Sequence, residues 1–423
     1  MISRRIYAWQ PLLPTLLVLF IASPLAQAAE SDSGNWPCWR GPLHNAVCLE
    51  TGLLKTWPEE GPPLAWKIDT IGEGYSTASV VGGVIYTMGN RDGNEQVIAL
   101  DATQQGKEHW ATTIGPVRHD GAGYPGPRST PAFDEGRLYT LGLNGDLVCL
   151  DANSGRIIWR RDLVADFGGA IPNWGYSESV LVDGPWVLFT PGGSKATLAA
   201  VDKATGETVW LSSIGDGAGY SSIIVSKAAG PKQYVQFTAQ GLLGVRARDG
   251  QFLWRYNAPA NGTANISTPV ASGPLVFAAS GYGTGGGLVE LDSNDETVTA
   301  KQIYFTKSMK NHHGGMVLVG DYLYGSNDPG LLTCLEFKTG KVKWADRAPG
   351  KCAVLYADGR IYSRSEDGKV CLVEAQPDGF QLHGTFEQPN RSAQPSWPHP
   401  IIANGVLYLR DQGVLLAYDV RGK

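Results

Sequence analysis

The stretch "STPAFDEGRLYTLGLNGDLVCLDANSGRIIWRRDL", residues 129–163, decides the fold, because it divides into four short apolar runs separated by three turns. The runs are STPAF, RLYTLG, GDLVCLD and IIWRRDL; DEG, LNG and ANSG lie between them and have the composition of tight turns. Glycine at the end of such a turn supplies the positive φ that other residues resist. The four-residue step from Gly155 to Trp159 puts the indole on the strand that follows the turn.

The same pattern recurs along the chain: a small residue, an aromatic ten positions on, an acidic residue and a closing Trp. It reads Ser76, Tyr86, Asp101, Trp110, then Ser129, Tyr139, Asp151, Trp159, then Ser177 to Trp210 and Ser221 to Trp254. A fifth copy from Ser267 degenerates and has Ala300 where the Trp belongs; a sixth ends at Trp344. The seventh, from Cys352 through Tyr362 and Glu374, places His383 in the Trp position. The eighth, from Pro398, supplies three strands and stops, while "GPPLAWKI" near the N-terminus offers an unclaimed strand and Trp66.

Eight units over about 395 residues give roughly 49 each, the size of a four-stranded blade. The expectation is an all-β chain, an eight-bladed β-propeller of four-stranded blades, closed by pairing the N-terminal strand with the C-terminal blade so that no sheet edge stays exposed. Trp66, Trp110, Trp159, Trp210, Trp254 and Trp344 are read as packing residues between blades, each with an N–H that needs an acceptor.

Residues 1–28 read as a secretory signal peptide, with Arg4 and Arg5, an apolar run from Leu12 to Ala22 and small residues Ala26 and Ala28 at the cleavage site. "SRRIY" also has the paired arginines of a twin-arginine signal. No Cys lies near the cleavage site, so a lipid anchor is not expected, and the apolar run is too short to remain as a membrane span. The organisation expected is a signal peptide over 1–28, a strap over 29–60 and one propeller over 61–423, in an exported protein that is periplasmic or secreted and monomeric.

Without Arg4 and Arg5, 33 basic residues face 40 acidic ones, and no basic cluster stands out, which argues against nucleic acid as a partner. Six cysteines in an exported chain permit disulfides; Cys38 and Cys48, in "CWRGPLHNAVC", are the pair expected to bond. Cys149, Cys334 and Cys371 lie in strand-like runs and read as buried thiols. No CxxC, GxSxG, P-loop or HExxH occurs, and "GYGTGGG" at 281–287 reads as a mobile hairpin, not a nucleotide loop. Sequons begin at Asn261, Asn265 and Asn390.

The D-x(3,4)-G-x-x-x-W units resemble the quinoprotein, or PQQ-like, propeller repeat over nearly the whole mature chain. "NWPCWRGP", "GLLKTWPEEGPPLAWK" and "KNHHGGMVLVGDYLYG" are similar to a group of secreted planctomycete-type PQQ-like propellers. The resemblance implies the fold and leaves function open. Its members include dehydrogenases that use pyrroloquinoline quinone (PQQ) with calcium, and a cofactor-free subunit of the bacterial outer-membrane assembly machinery. The adjacent-cysteine disulfide common in the dehydrogenases is missing here. The leading expectation is an exported scaffold that binds an envelope or secreted protein or a small molecule. The alternative is a PQQ-dependent alcohol or sugar dehydrogenase with its site at the channel mouth, in which Glu178 and Asn311 help hold calcium or quinone, Arg128 or Lys310 meets the carboxylates and a histidine moves the proton.

In a propeller the segments leading into the inner strands open at one end of the central channel, so departures from the repeat there are the functional leads. Glu178 stands where neighbouring units have Thr77, Thr130, Ser222 and Thr268, to bind a cation or polar ligand or to pair with Arg128. Lys310, Asn311, His312 and His313 form the densest polar group; on a strand the two histidines would point opposite ways, so that at most one serves a site. Trp174, Tyr176, Trp397 and His399 are expected to complete an aromatic rim for a planar cofactor, a sugar or a peptide.

Overall fold

In the regular repeats an acidic residue and a glycine build the outer hairpin of a blade, while the fourth repeat has Arg246 at the acidic position. Asp151 accepts hydrogen bonds from Ser154 N and Oγ at 2.9 and 2.7 Å, and Asp202 from the backbone N of Ala204 and Thr205 at 2.8 and 2.9 Å. The carboxylate thus shapes the turn without help from elsewhere. Gly155 follows at φ 68°, and a Cβ on it would lie 2.5 Å from the ring of Trp110 in the preceding blade. Gly206 takes Trp159 and Gly250 takes Trp210 in the same way. Three indole N–H groups then donate to the neighbouring turn, Trp110 to Ala152 O at 3.1 Å, Trp159 to Lys203 O at 3.0 Å and Trp210 to Ala247 O at 3.1 Å, whereas Trp254 donates to Gln233 Oε1 of its own blade at 2.7 Å. The motif is therefore a lock between adjacent blades, with the turn of one shaped to receive the ring of the one before.

The computed structural model describes residues 1, 34–118, 123–227, 230–294 and 297–422. The signal-peptide reading, Met1 aside, and strap residues 29–33 lie outside them. From Gly34 onward the described strands form eight sheets and no helix. Blades 1 to 7 occupy residues 79–116, 132–162, 181–212, 224–256, 270–306, 316–346 and 352–387, each a four-stranded antiparallel meander with its first strand innermost. Blade 8 takes three strands from 401–419 and its fourth from Leu64–Ile68, which pairs antiparallel with Val414–Asp419 (Leu64 with Tyr418, Trp66 with Ala417). The ring is closed by the two ends of the propeller chain, and apolar residues fill the spaces between blades.

Two blades depart from the expected Trp positions. In blade 1 the ladder irregularity falls where Ala99 faces Trp110, in blade 2 where Cys149 faces Trp159 and in blade 6 where Cys334 faces Trp344. By that register the corresponding residue of blade 5 is Tyr304, facing Leu288, and not Ala300. Tyr304 donates its hydroxyl to Phe337 O at 2.8 Å and lies against Gly340 of blade 6, which is the Trp role carried by a phenol. In blade 7 the residue is Gly384, facing Leu372, and not His383. A Cβ on Gly384 would lie 2.6 Å from that of Trp57, a strap residue whose ring packs 5.7 Å from Tyr362 and 5.5 Å from Phe386. The strap thus supplies the ring that blade 7 lacks.

The strap also runs along the inner strands. Trp36 bridges to Val80 of blade 1, Pro37 O accepts from Phe133 N of blade 2, and Val47–Cys48 adds a parallel strand to Cys352–Ala357 of blade 7. Trp39 Nε1 donates to Thr268 Oγ1 at the start of blade 5 (3.0 Å), and Arg40 to Met316 O of blade 6. This path separates Cys38 from Cys48, so the expected disulfide is corrected: all six thiols are free. Cys38 packs with Ala132, Tyr139 and Phe167 between blades 2 and 3, while Cys48 packs with Leu355 and Ile402 of blades 7 and 8. Burial pushes both thiols up to about 12.

Candidate functional site

The serines that begin the inner strands hold neighbouring lead-in segments together. Ser76 Oγ donates to Ser129 O at 2.6 Å, Ser179 Oγ accepts from Thr130 N at 2.9 Å, and Ser222 Oγ accepts from Ser179 N at 3.0 Å. All eight lead-ins converge on one cavity of about 350 Å³ at the channel mouth, to which the strap contributes Trp39. Its walls carry seven Trp and Tyr side chains: Trp39, Tyr75, Tyr124, Trp174, Tyr220, Tyr282 and Trp397. Thr77, Ser177, Ser179, Ser222, Ser267 and Thr268 also line it, with the Thr268 hydroxyl accepting from Trp39 and the Ser267 hydroxyl donating to Asn311.

Six of the expected site residues line this cavity: Arg128, Trp174, His312, His313, Trp397 and His399. Three do not. Glu178 is buried, where its carboxylate accepts from Thr190 N (2.7 Å), Thr190 Oγ1 (3.1 Å) and Gln236 Nε2 (3.1 Å), so it pairs with neither Arg128 nor a ligand at the mouth. Asn311 is a buried clamp that takes Ser267 Oγ and donates to Gly315 O and Ser326 O at 2.9 and 3.0 Å. Tyr176 reaches into the core and donates to Pro191 O at 2.8 Å. Lys310 is also absent from the walls; its backbone N donates to Asn327 Oδ1 at 2.8 Å.

His312 and His313 lie in a loop before the Met316–Val319 strand, so strand alternation does not apply and both rings face the cavity, 3.8 Å apart. Trp397 stacks on His313 at 4.0 Å and 17°, with Tyr124 at 4.6 Å and Tyr75 at 5.0 Å from its ring. Its Nε1 donates to Glu366 Oε1 at 2.8 Å, and that oxygen also lies 3.2 Å from His313 Nδ1 and 3.3 Å from Lys351 Nζ. Lys351 Nζ is 2.6 Å from His312 Nδ1, which must accept, leaving the ring proton on Nε2, a buried atom with no partner. Burial pushes the Glu366 carboxyl up, but His313, Lys351 and Trp397 outweigh it and hold it down at about 2. Burial lowers His312 to about 3, lowers His399 to about 4 and depresses His313. All three imidazoles are therefore neutral at pH 7.

One ligand atom from each of His312, His313 and Glu366 falls within 4.8 Å of the others, a group able to surround a metal ion. In this structure the Lys351 ammonium stands beside two of the three, with Asp328 Oδ1 at 3.7 Å, so a tethered cation already meets these acceptors. On the other side Arg128 donates to Trp174 O at 2.7 Å and Tyr124 O at 2.8 Å and lies 5.7 Å from the Tyr75 ring centroid. Burial lowers its pKa to about 10, which leaves it charged at pH 7.

Sequence reading passed over Trp39, Tyr75, Tyr124, Tyr220, Tyr282, Lys351 and Glu366. Tyr75, Tyr176 and Tyr220 share the triplet Gly-Tyr-Ser, and its backbone decides where each ring goes. Tyr75 N and Tyr220 N donate forward, to Pro127 O and Asn265 O of the next lead-in, and their rings line the cavity. Tyr176 N donates back to Leu143 O, and its ring is buried.

Comparison with known proteins agrees with the repeat and the ring. A model of the family described as outer membrane protein assembly factor BamB matches residues 93–346 and 306–423. A BamB from Shewanella oneidensis is 23% identical over 311 residues, which is 70% of this chain and 75% of that protein. Among solved structures, BamB from Moraxella catarrhalis shares the fold with a TM-score of 0.62 at 15% identity, covering 85% of this chain and 99% of that one. Quinohemoprotein alcohol dehydrogenase from Comamonas testosteroni shares it with a TM-score of 0.68 at 13% identity, covering 96% and 83%. Since the matched residues run from blade 1 to the last strand of blade 8, the chain belongs to the PQQ-repeat propeller family described as outer membrane protein assembly factor BamB.

Proposed function

We propose that this protein is an exported binding propeller that takes a carbohydrate at the channel mouth. The observation that carries the reading is that seven Trp and Tyr side chains and six Ser and Thr residues line one cavity of about 350 Å³. A sugar offers the matching surface, with C–H faces to lie on rings and hydroxyls at its edge to exchange hydrogen bonds. Trp397 is the central platform, because its stack on His313 and the bond to Glu366 fix its plane before any ligand arrives. The relatives are named as assembly factors, a name that carries no chemical reaction.

Calcium takes six to eight oxygen ligands, and a tricarboxylate needs several cations or amides around it. Among the described lining residues Glu366 is the one carboxylate, and it is engaged by Lys351, His313 and Trp397. Glu178 and Asn311 have their polar atoms committed inside the blades. This donor set does not fit calcium with PQQ.

The test is calorimetry and tryptophan fluorescence with a panel of mono- and disaccharides on the mature protein. Saturable binding is expected for at least one sugar, with an affinity loss of about tenfold or more in Trp397→Ala. No saturable change with any sugar would sink the reading, and dye reduction with PQQ and calcium would move the protein to the dehydrogenases. Fractionation of producing cells checks export, with the mature chain expected outside the cytoplasm.

A further inference from the structure

We propose that Arg128 is an anion anchor in this cavity, so that the ligand is a sugar acid presenting one carboxylate. The inference deepens the carbohydrate reading and rests on it. Arg128 points into a mostly apolar wall, and the described residues place no carboxylate within ion-pair distance of it. Its two acceptors are main-chain carbonyls, which orient the guanidinium without neutralising it. Arg40, Arg364 and Arg410 likewise have no carboxylate in contact among the described residues, but they are buried and do not line the cavity. Arg410 bonds Ser76 O, Thr87 Oγ1, Met88 O, Gly72 O and Gln412 O; Arg364 bonds Pro398 O, Arg410 O, Gln388 and Ser396. Among the described residues Arg128 uses two of its five N–H groups, and it lines the cavity.

The rest of the described wall offers no second cation without a carboxylate beside it. Lys351 is matched by Glu366 at 3.3 Å and Asp328 at 3.7 Å. The described walls therefore carry one unmatched positive charge, flanked by Tyr75 and Trp174. A half-buried guanidinium with no counter-ion among the described residues is poorly compensated, and a planar carboxylate can engage its fork through two hydrogen bonds. A pyranose ring lying against the neighbouring aromatic faces would bring a C6 carboxylate, and not a C6 hydroxyl, to this guanidinium.

The experiment compares two acid and neutral pairs by calorimetry on wild type, Arg128→Met and Arg128→Lys: glucuronate with glucose, and benzoate with benzyl alcohol. Near-ultraviolet circular dichroism checks that the variants keep the aromatic environment. The expected result is an acid bound about tenfold or more tighter than its neutral partner by wild type, a preference erased in Arg128→Met and partly kept in Arg128→Lys. An acid preference in the benzoate pair alone upholds the anchor while the carbohydrate reading fails. Equal affinity for glucuronate and glucose, with no preference in the benzoate pair, overturns the anchor and leaves the carbohydrate reading standing. Absence of binding by all four overturns both, and an acid preference that survives in a folded Arg128→Met overturns the anchor.

Discussion

Buried ionisable groups give the protein opposite responses to acid and to base. Glu178 and Glu95 both titrate at about 8 because burial penalises their charged forms, against 4.5 for a free glutamate. The folded protein holds these protons over a range where the unfolded chain has released them, so stability is lost as pH rises from about 4.5 to 8 and levels off above. His312, His313 and His399 act the other way: their folded-state pKa values lie below 6.5, so stability is lost as pH falls below that value. Thermal melting across pH 4 to 9 should show a maximum near pH 6. Glu95→Gln with Glu178→Gln should flatten the alkaline limb and leave the acid limb in place; an unchanged alkaline limb would refute this account. Glu178 also shows what sequence could and could not reveal. Its departure from the Ser-Thr pattern was legible, but its direction depends on Thr190 and Gln236, which belong to two different blades. Arg128, His312, His313 and Trp397 were found because they break the repeat in a segment that must reach the mouth. Glu366 was not, because it sits in a hairpin turn of blade 7 that looks like any other.

At the scale of the element, the local code made the blades readable: an acidic residue shapes a turn, a glycine permits it, and a Trp from the previous blade covers it. It misled where a partner came from elsewhere in the chain. Blade 5 pairs two ten-residue strands, Gly285–Asn294 and Thr297–Thr306, and moves the ring four positions along to Tyr304. Blade 7 leaves the position to Gly384 and receives Trp57. Trp57→Ala should therefore cost about 3–5 kcal/mol in denaturant unfolding, the loss expected of a core indole. His383→Ala, which removes a half-exposed contact to Glu374, should cost less than about 1 kcal/mol. Equal losses in the two variants would mean that the strap ring is not a structural member of the blade. Asn265 is another case of context overriding motif: its amide is buried and donates to Thr238 O and Ala239 O, which leaves that sequon unavailable in the folded chain.

The whole ring was legible because an eighth blade with three strands and a spare N-terminal strand have one economical solution. The disulfide was not, since the spacing of Cys38 and Cys48 says nothing about a segment that crosses from blade 2 to blade 7 between them. Thiol titration of the unfolded mature protein should find six free thiols, and reductant should leave its melting temperature unchanged. A mass two units lower per pair would show a bond. Closure also orders events in time. Leu64 meets Tyr418, so the strand Leu64–Ile68, made before every blade, has no pairing strand until the last strand of blade 8 exists. Blades 2 to 6 contain only hairpins between neighbouring strands and can form as soon as they emerge. The early segment meanwhile waits as an unpaired edge, exposed to any other strand it meets. The period before blade 8 is completed is thus when this chain is most open to pairing with a second copy of itself.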